Sequence, residues 1–384
     1  MFSRSMELAS HPLVILAAIW LIGYLIFRLF VKKEPAGVKI YPLGFIVRSD
    51  KTLKIFDRIA YAAPTLLRIA SNLGVVMGFG MMGFAIYILA KNLGTYLFAP
   101  TQVGPQNIVI PLVIGVTIRF EHLPYLLIAL GIVLVSHEGM HGLIARLEKI
   151  KLKSTGLFLF YIFPGGFVEP DEEEFKKASS GVRARVAAGG SFANFVVGII
   201  AVFLMLGIFS PVESGVIVAG VSDNSLLHVN DLIYRVNGVP VNRTTLFQNI
   251  TASDLLVIET HRGNLTYQLR KPINMSIAQI LSGLGVTRID YYFPMRIAFL
   301  DPLAEYSVYR AFYWIQLLAI NVAIFNMLPI YFLDGSLLVT ALLEKLTKNQ
   351  KAIKTLNAVL TSISIALIAL NMGFTFKTFG LLQI

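Results

Sequence analysis

Six apolar stretches, each near the roughly 20 residues a helix needs to cross a bilayer, decide what this 384-residue chain can fold into. They fall near 12–31, 73–90, 123–145, 186–209, 306–328 and 354–374. A soluble core has no place for so many. The composition agrees, with 56% apolar residues, 14% charged residues and a mean hydropathy of +0.71. A soluble domain carries about a quarter charged residues. The first stretch is too long for a signal-peptide core and no small-residue cleavage site follows it, so it reads as a retained helix. Cysteine is absent, which excludes disulfides, thiolate-held metal and thiol catalysis. The expected fold class is a polytopic α-helical membrane protein with about six transmembrane helices.

Lysine and arginine then set the orientation. Residues 32–71 and 146–185 hold eight each and 344–354 hold four, whereas 1–11, 91–122 and 375–384 hold one, two and one. Twenty against four assigns the first group to the cytoplasm and both termini to the outside. The net charge of +11 is thus a record of topology, and no nucleic-acid partner is expected. The long insert at 210–305 also falls outside. Four glycosylation-type sequons, beginning at Asn242, Asn249, Asn264 and Asn274, all lie within it.

Inside the insert the pattern changes to short β-branched runs. Residues 216–221, 232–236, 239–241, 255–259 and 265–269 read as strands, with turns at Asn237-Gly238 and from His261 to Asn264. The run from Ser225 to Val241 resembles the PDZ pattern, in which Gly-Asp precedes a strand ending in Val-Asn-Gly; here Asn230 precedes Asp231 in place of the glycine. The resemblance implies an inserted small α/β PDZ-like domain over 211–275, of the kind that binds extended peptides at a sheet edge. A β module serving only as a spacer is the alternative. The segment 155–170 is apolar and aromatic but broken by Pro164, Gly165 and Gly166. It reads either as extended chain dipping into the membrane or as an interfacial loop.

The chemistry is concentrated in His137-Glu138-Gly139-Met140-His141. Two histidines four apart on a helix share one face and can hold one divalent ion, with Glu138 beside them to accept a proton from an attacking water. Six histidines and thirteen glutamates in a chain of this length produce that spacing by chance roughly 0.003 times. Its position near the end of an apolar span, where ionisable groups are expensive, adds weight. The bland reading is a pair of structural histidines. A zinc hydrolase needs a third ligand, and Asp334 is the candidate, following the break at Pro329 and preceding Gly335; a plain helix cap is its bland reading. His11, His122, His228 and His261 have no partner at ligand spacing and read as structural or surface residues.

The arrangement resembles the site-2 protease family of intramembrane metalloproteases. The match rests on His137 to His141, on Asn326-x-x-Pro329 through Asp334-Gly335, and on a PDZ-like domain inserted between them. Gly190 to Asn194 is similar to that family's Gly-Pro-x-x-Asn motif, with Ser191 in the proline position. The resemblance implies Zn2+ on His137, His141 and Asp334, Glu138 as general base, and Asn326 and Asn194 as donors to substrate or oxyanion. It also implies transmembrane protein substrates within the lipid bilayer, a possible upstream protease, an active site toward the cytoplasm and an extracytoplasmic PDZ-like domain. The chain accordingly divides into an N-terminal membrane region (1–120), two halves of a protease core (121–210 and 276–345) flanking the 211–275 domain, and a C-terminal span (346–384). A metal transporter and an inactive scaffold remain as rivals, but neither gives Glu138 a task.

Overall fold

The computed structural model describes residues 12–31, 34–51, 53–161, 163–269 and 271–382. Of the residues singled out above, His11 lies outside the described residues. The chain opens with helix α1 (Pro12–Phe30), strands β1 (Val38–Tyr41) and β2 (Gly44–Ser49), and helices α2 (Leu53–Ala62) and α3 (Pro64–Phe98). Next come α4 (Leu123–Leu147), strands β3 (Leu152–Phe160) and β4 (Phe163–Pro170), the short α5 (Glu172–Lys177) and α6 (Ser180–Ile208). Among the described residues, five helices are long and apolar enough to cross a membrane: α3, α4 with the turn before it, α6, and two later ones, Pro302–Asn326 and Gln350–Phe379. Six were expected. The first is a shorter apolar helix, Val14–Phe30, whose rise of about 26 Å falls just under a 30 Å hydrocarbon layer.

Two compact units divide the chain. The first comprises residues 1–199 and 314–384 and contains most of the helices. Its helices approach closely where side chains are small. Gly78 on α3 has room for no Cβ, because one would come within 2.9 Å of Leu338 and 3.0 Å of Met327. Gly74, one turn earlier, faces Phe192 on α6 in the same way. Further along, Asn92 and Tyr96 of α3 join Asn107, Asn371 and Thr375 in a buried network, with Asn92 Nδ2 donating to Asn371 Oδ1 at 2.8 Å. His122 is also structural, buried with its ring 5.6 Å from that of Trp314.

The basic segment before α3 takes a form that its charge count hides. Strands β1 to β4 make one antiparallel sheet in the order β1-β2-β3-β4, so the N-terminal hairpin extends the hairpin at 152–170. Glycines let aromatic rings lie flat on this sheet: the Phe167 ring covers Gly156 and the Phe158 ring covers Gly165, each where a Cβ would sit. Trp20, midway along the apolar α1, donates its indole N–H to the Tyr161 carbonyl at the β3–β4 tip, at 2.9 Å. α2 buries Ala60 and pairs Asp57 with Arg146 on α4.

The second unit, residues 200–313, is built around an antiparallel sheet. Its strands are β5 (Val216–Val221), β6 (Leu232–Val236), β7 (Val239–Pro240), β8 (Asn249–Ala252), β9 (Leu255–Thr260), β10 (Gly263–Gln268), β11 (Ile273–Ser276) and, after helix α7 (Ile277–Gly283), β12 (Val286–Tyr291). The main sheet runs β10-β9-β6-β5-β12, with β7 on β6 and β11 paired to β8. Val216, Val218, Ile233, Val236, Ile258 and Ile277 form its core. The expected strands coincide with β5, β6, β7, β9 and β10, and the Asn237-Gly238 turn has positive φ at both residues (48° and 75°). Asn230 adopts φ 73°, the left-handed conformation that glycine meets most easily and asparagine next. The sheet is larger than the 211–275 boundary allows, because β12 pairs with β5 some 65 residues earlier in the chain, a contact with no local sequence signal. His261 Nδ1 accepts the Leu232 N–H, and His228 is exposed, as expected of structural and surface residues.

The chain returns to the first unit through α8 (Pro302–Asn326), then α9 (Asp334–Leu346) and α10 (Gln350–Phe379).

Candidate active site

α4 starts with Pro124 in its first turn and runs 25 residues, so His137 and His141 lie one turn apart on its second half. Their Nε2 atoms are 3.1 Å apart, with the rings edge to face at 84°. One stripe of α6 holds both. Val186, Gly190 and Asn194, four residues apart, face the imidazoles in turn. His141 Nδ1–H donates to the Val186 carbonyl at 2.7 Å, which leaves Nε2 with a free lone pair. Gly190 lies against both rings: a Cβ there would overlap His141 Nε2 and stand 2.7 Å from His137 Cε1. The Asn194 amide, fully buried, lies 3.1 Å from His137 Nδ1 and accepts the Ser136 hydroxyl at 2.7 Å. Ion pairs at the start of α6 tie it to both neighbouring elements, Arg185 to Glu148 beyond α4 and Arg183 to Glu344 on α9.

Asp334 comes from the opposite wall. α8 ends at Asn326, Met327 to Leu333 make a tight return, and α9 begins with Asp334. Gly335 is required for contact rather than for its dihedral freedom, since a Cβ would run into the Met327 and Leu328 carbonyls. Asp334 Oδ2 lies 3.1 Å from His137 Nε2 and 3.4 Å from His141 Nε2. It is buried and receives no hydrogen bond. Three lone-pair donors facing one another, one of them an orphaned carboxylate oxygen, form an arrangement that repels itself unless a cation is shared. The spacing suits one: a tetrahedral ion with bonds of about 2.0–2.1 Å holds its ligands roughly 3.3 Å apart. The three residues are a cluster able to hold a metal ion. Asn326 Nδ2 lies 3.3 Å from His137 Nε2, on the ligand side of that ring. Asn194 lies on the other side.

A cavity of about 400 Å3 opens on this cluster and is lined by Glu138, Val168, Pro170, Glu172, Phe332 and Leu337 among others. β4 is the last strand of its sheet and brings Gly166 close to Glu138, whose Cγ lies 3.9 Å from an ideal Cβ position on Gly166. Asp171 N–H donates to the Lys151 carbonyl, so odd-numbered residues of this strand turn their backbone toward β3. By alternation, Gly166 and Val168 turn theirs outward. The other outward residues, Pro164 and Pro170, have no N–H to offer. At the rim, Asp171 caps α5 and is held below the usual carboxylate range, chiefly by the Glu174 N–H and also by Lys153. Glu172 is lowered too, chiefly by its bond to Lys176. Both stay ionised at neutral pH.

His137, Glu138, His141, Asp334 and Asn326 therefore meet around one cavity, and Asn194 backs the His137 ring. Gly190, Val186 and Phe332 received no role from sequence reasoning. Gly190 stood in the 190–194 motif, and its task depends on what faces it. A backbone carbonyl such as that of Val186 leaves no signal in a sequence.

A polytopic helical protein with two imidazoles and a carboxylate gathered beside a glutamate at one end of a membrane-crossing helix belongs to the class of membrane-embedded metal hydrolases. The profile of Peptidase family M50 matches residues 125–370, most of the chain, and the protein belongs to that family, the site-2 proteases. Family membership and the His-His-Asp cluster make it an intramembrane protease of the zinc type. An uncharacterized protein of Methanocaldococcus jannaschii, MJ0971, is 26% identical over 341 residues, covering 86% of this chain and 85% of that one.

Proposed function

We propose that this protein cuts the transmembrane segments of other membrane proteins by zinc-dependent hydrolysis, with His137, His141 and Asp334 as ligands and Glu138 as general base. The observation that carries the reading is the buried Asp334 Oδ2, which receives no hydrogen bond and faces two imidazole nitrogens. A zinc ion bound there supplies Lewis-acid activation of water and of the scissile carbonyl. Glu138 accepts the proton of the attacking water and passes it to the leaving nitrogen. The Asn326 amide, on the ligand side of His137, donates to the developing oxyanion. Asn194 has a different task in this reading. Ligation through His137 Nε2 requires a proton on Nδ1, which the Asn194 amide oxygen accepts once the amide is turned to suit. It is a positioning residue.

A helical substrate hides its carbonyls in its own hydrogen bonds and must unwind before attack. The outward amides of Gly166 and Val168 beside Glu138 favour capture of the unwound stretch as an added strand. The indole of Trp20, midway along an apolar helix and bonded to the hairpin tip, supports the reading that this sheet dips into the membrane. We take α1 as a sixth span, the cytoplasm as the side of the active site, and the insert as an extracytoplasmic PDZ-like domain that follows a prior cleavage by excluding bulky ectodomains. The charge distribution supports the orientation.

Wild-type and Glu138→Gln proteins, purified and incubated with a single-span test substrate, provide the test. Zinc in both and cleavage only by wild type is expected. Equal cleavage by both removes Glu138 from the mechanism. Zinc transport without cleavage in either protein replaces the protease with a transporter.

A further inference from the structure

We infer that Phe332 determines specificity: its ring forms one wall of the pocket that receives a substrate side chain next to the scissile bond, and it limits that side chain's size. The inference rests on the protease reading above and extends it.

Phe332 sits two residues before Asp334 and lines the cavity above the three ligands. Its backbone has φ 78°, a conformation where a bulky L-residue is strained and glycine is the cheap choice. The loop holds it there from both sides. Tyr331 N–H donates to Thr361 Oγ1 on α10, the Thr361 hydroxyl donates to the Pro329 carbonyl, and Leu333 N–H closes a turn on Ile330. In return the ring packs on almost nothing: Phe332 is 94% exposed, with the Tyr331 ring as its neighbour at 4.5 Å. A side chain that strains its backbone and adds no internal packing has its purpose outside the folded chain's own contacts. The cavity supplies that purpose. The same cavity is lined by Val168 and Pro170 of β4, the strand with outward amides at Gly166 and Val168, so a strand laid along β4 would place a side chain in the cavity that the Phe332 ring also lines. Val168, Pro170, Phe175 and Leu337 supply apolar lining beside the Phe332 ring, and the ligand class is an apolar substrate side chain.

The test uses the zinc-loaded full chain and single-span peptides carrying Ala, Leu, Phe or Trp at positions flanking the cleaved bond, which mass spectrometry locates. Phe332→Ala should raise kcat/KM for the Trp peptide relative to the Ala peptide by about tenfold. The same shift should appear in peptide binding measured in a Glu138→Gln background, where nothing is cut. Phe332→Gly should raise the unfolding midpoint while showing the same loss of size selection, and Phe332→Leu should be intermediate. An unchanged guest ratio in both cleavage and binding overturns the inference and leaves the protease intact. A uniform loss across all guests also overturns it, and makes the ring a lipid anchor or a loop prop. If wild type cuts none of the peptides, the protease reading itself fails.

Discussion

The two walls that meet at the candidate metal centre are built in opposite ways. On one side α4 and α6 pack so closely that Gly190 has no space for a methyl group, and Val186, Gly190 and Asn194, which meet the imidazoles there, belong to one helix. On the other side Asp334 heads a helix reached through a seven-residue return whose Phe332 is strained and exposed. Packed helices resist small displacements, because interiors are close-packed. A loop with an unpacked tip yields more easily. On the proposed reading, the first wall fixes the two imidazoles, while the second brings the third ligand, Asp334, and the exposed Phe332 ring to the cavity.

The comparison breaks most readily at Gly190. Gly190→Ala must push both rings aside, and overpacking of this kind costs about 1–3 kcal/mol. Zinc affinity measured by competition with a chelator should fall by about 100-fold, the top of the roughly 10–100-fold range typical of a lost orienting hydrogen bond, and cleavage should vanish. Retained zinc would show that the helical wall is soft. Asn194→Ala removes only the support behind His137 and should lie within that 10–100-fold range, with a smaller change in kcat at saturating zinc. The smallest effect is expected at the strand edge. Val168→Pro deletes one outward amide without touching the pairing to β3, worth about 1 kcal/mol or roughly fivefold in KM. Phe167→Pro, on the inward side, should lower the unfolding midpoint instead; reversed results would mean that the strand's polarity has been misread.

Much of this was legible from residue order alone. His137, Glu138 and His141 declare themselves by spacing, and Asp334 by its place after a proline-broken span. Strands β5, β6, β7, β9 and β10 of the insert match the β-branched runs to within a residue or two, whereas β8 and β11 were not expected. The rest depends on distant contacts. Strands β1 and β2 lie in a segment whose lysines and arginines dominate its appearance; they pair locally as a hairpin, but only β2's pairing with residues more than 100 positions later joins them to the sheet at the site. β12 is invisible for the same reason. The first helix shows the limit of composition: apolar length near the threshold does not say whether a helix crosses. In the return before Asp334 the unusual dihedral falls on Phe332, not on Gly335, and the glycine answers to two carbonyls pressed against it.

The prolines at either end of β4 carry a consequence for how copies of this protein coexist. A strand edge kept open for guests is equally open to a neighbour's edge, and crowding in the plane of a bilayer would favour such pairing. Pro164 and Pro170 leave a gap only two amides wide, too short for two sheets to zip together but sufficient to hold a guest whose carbonyl is already drawn elsewhere. On the strand-capture reading, this edge stays receptive without becoming adhesive.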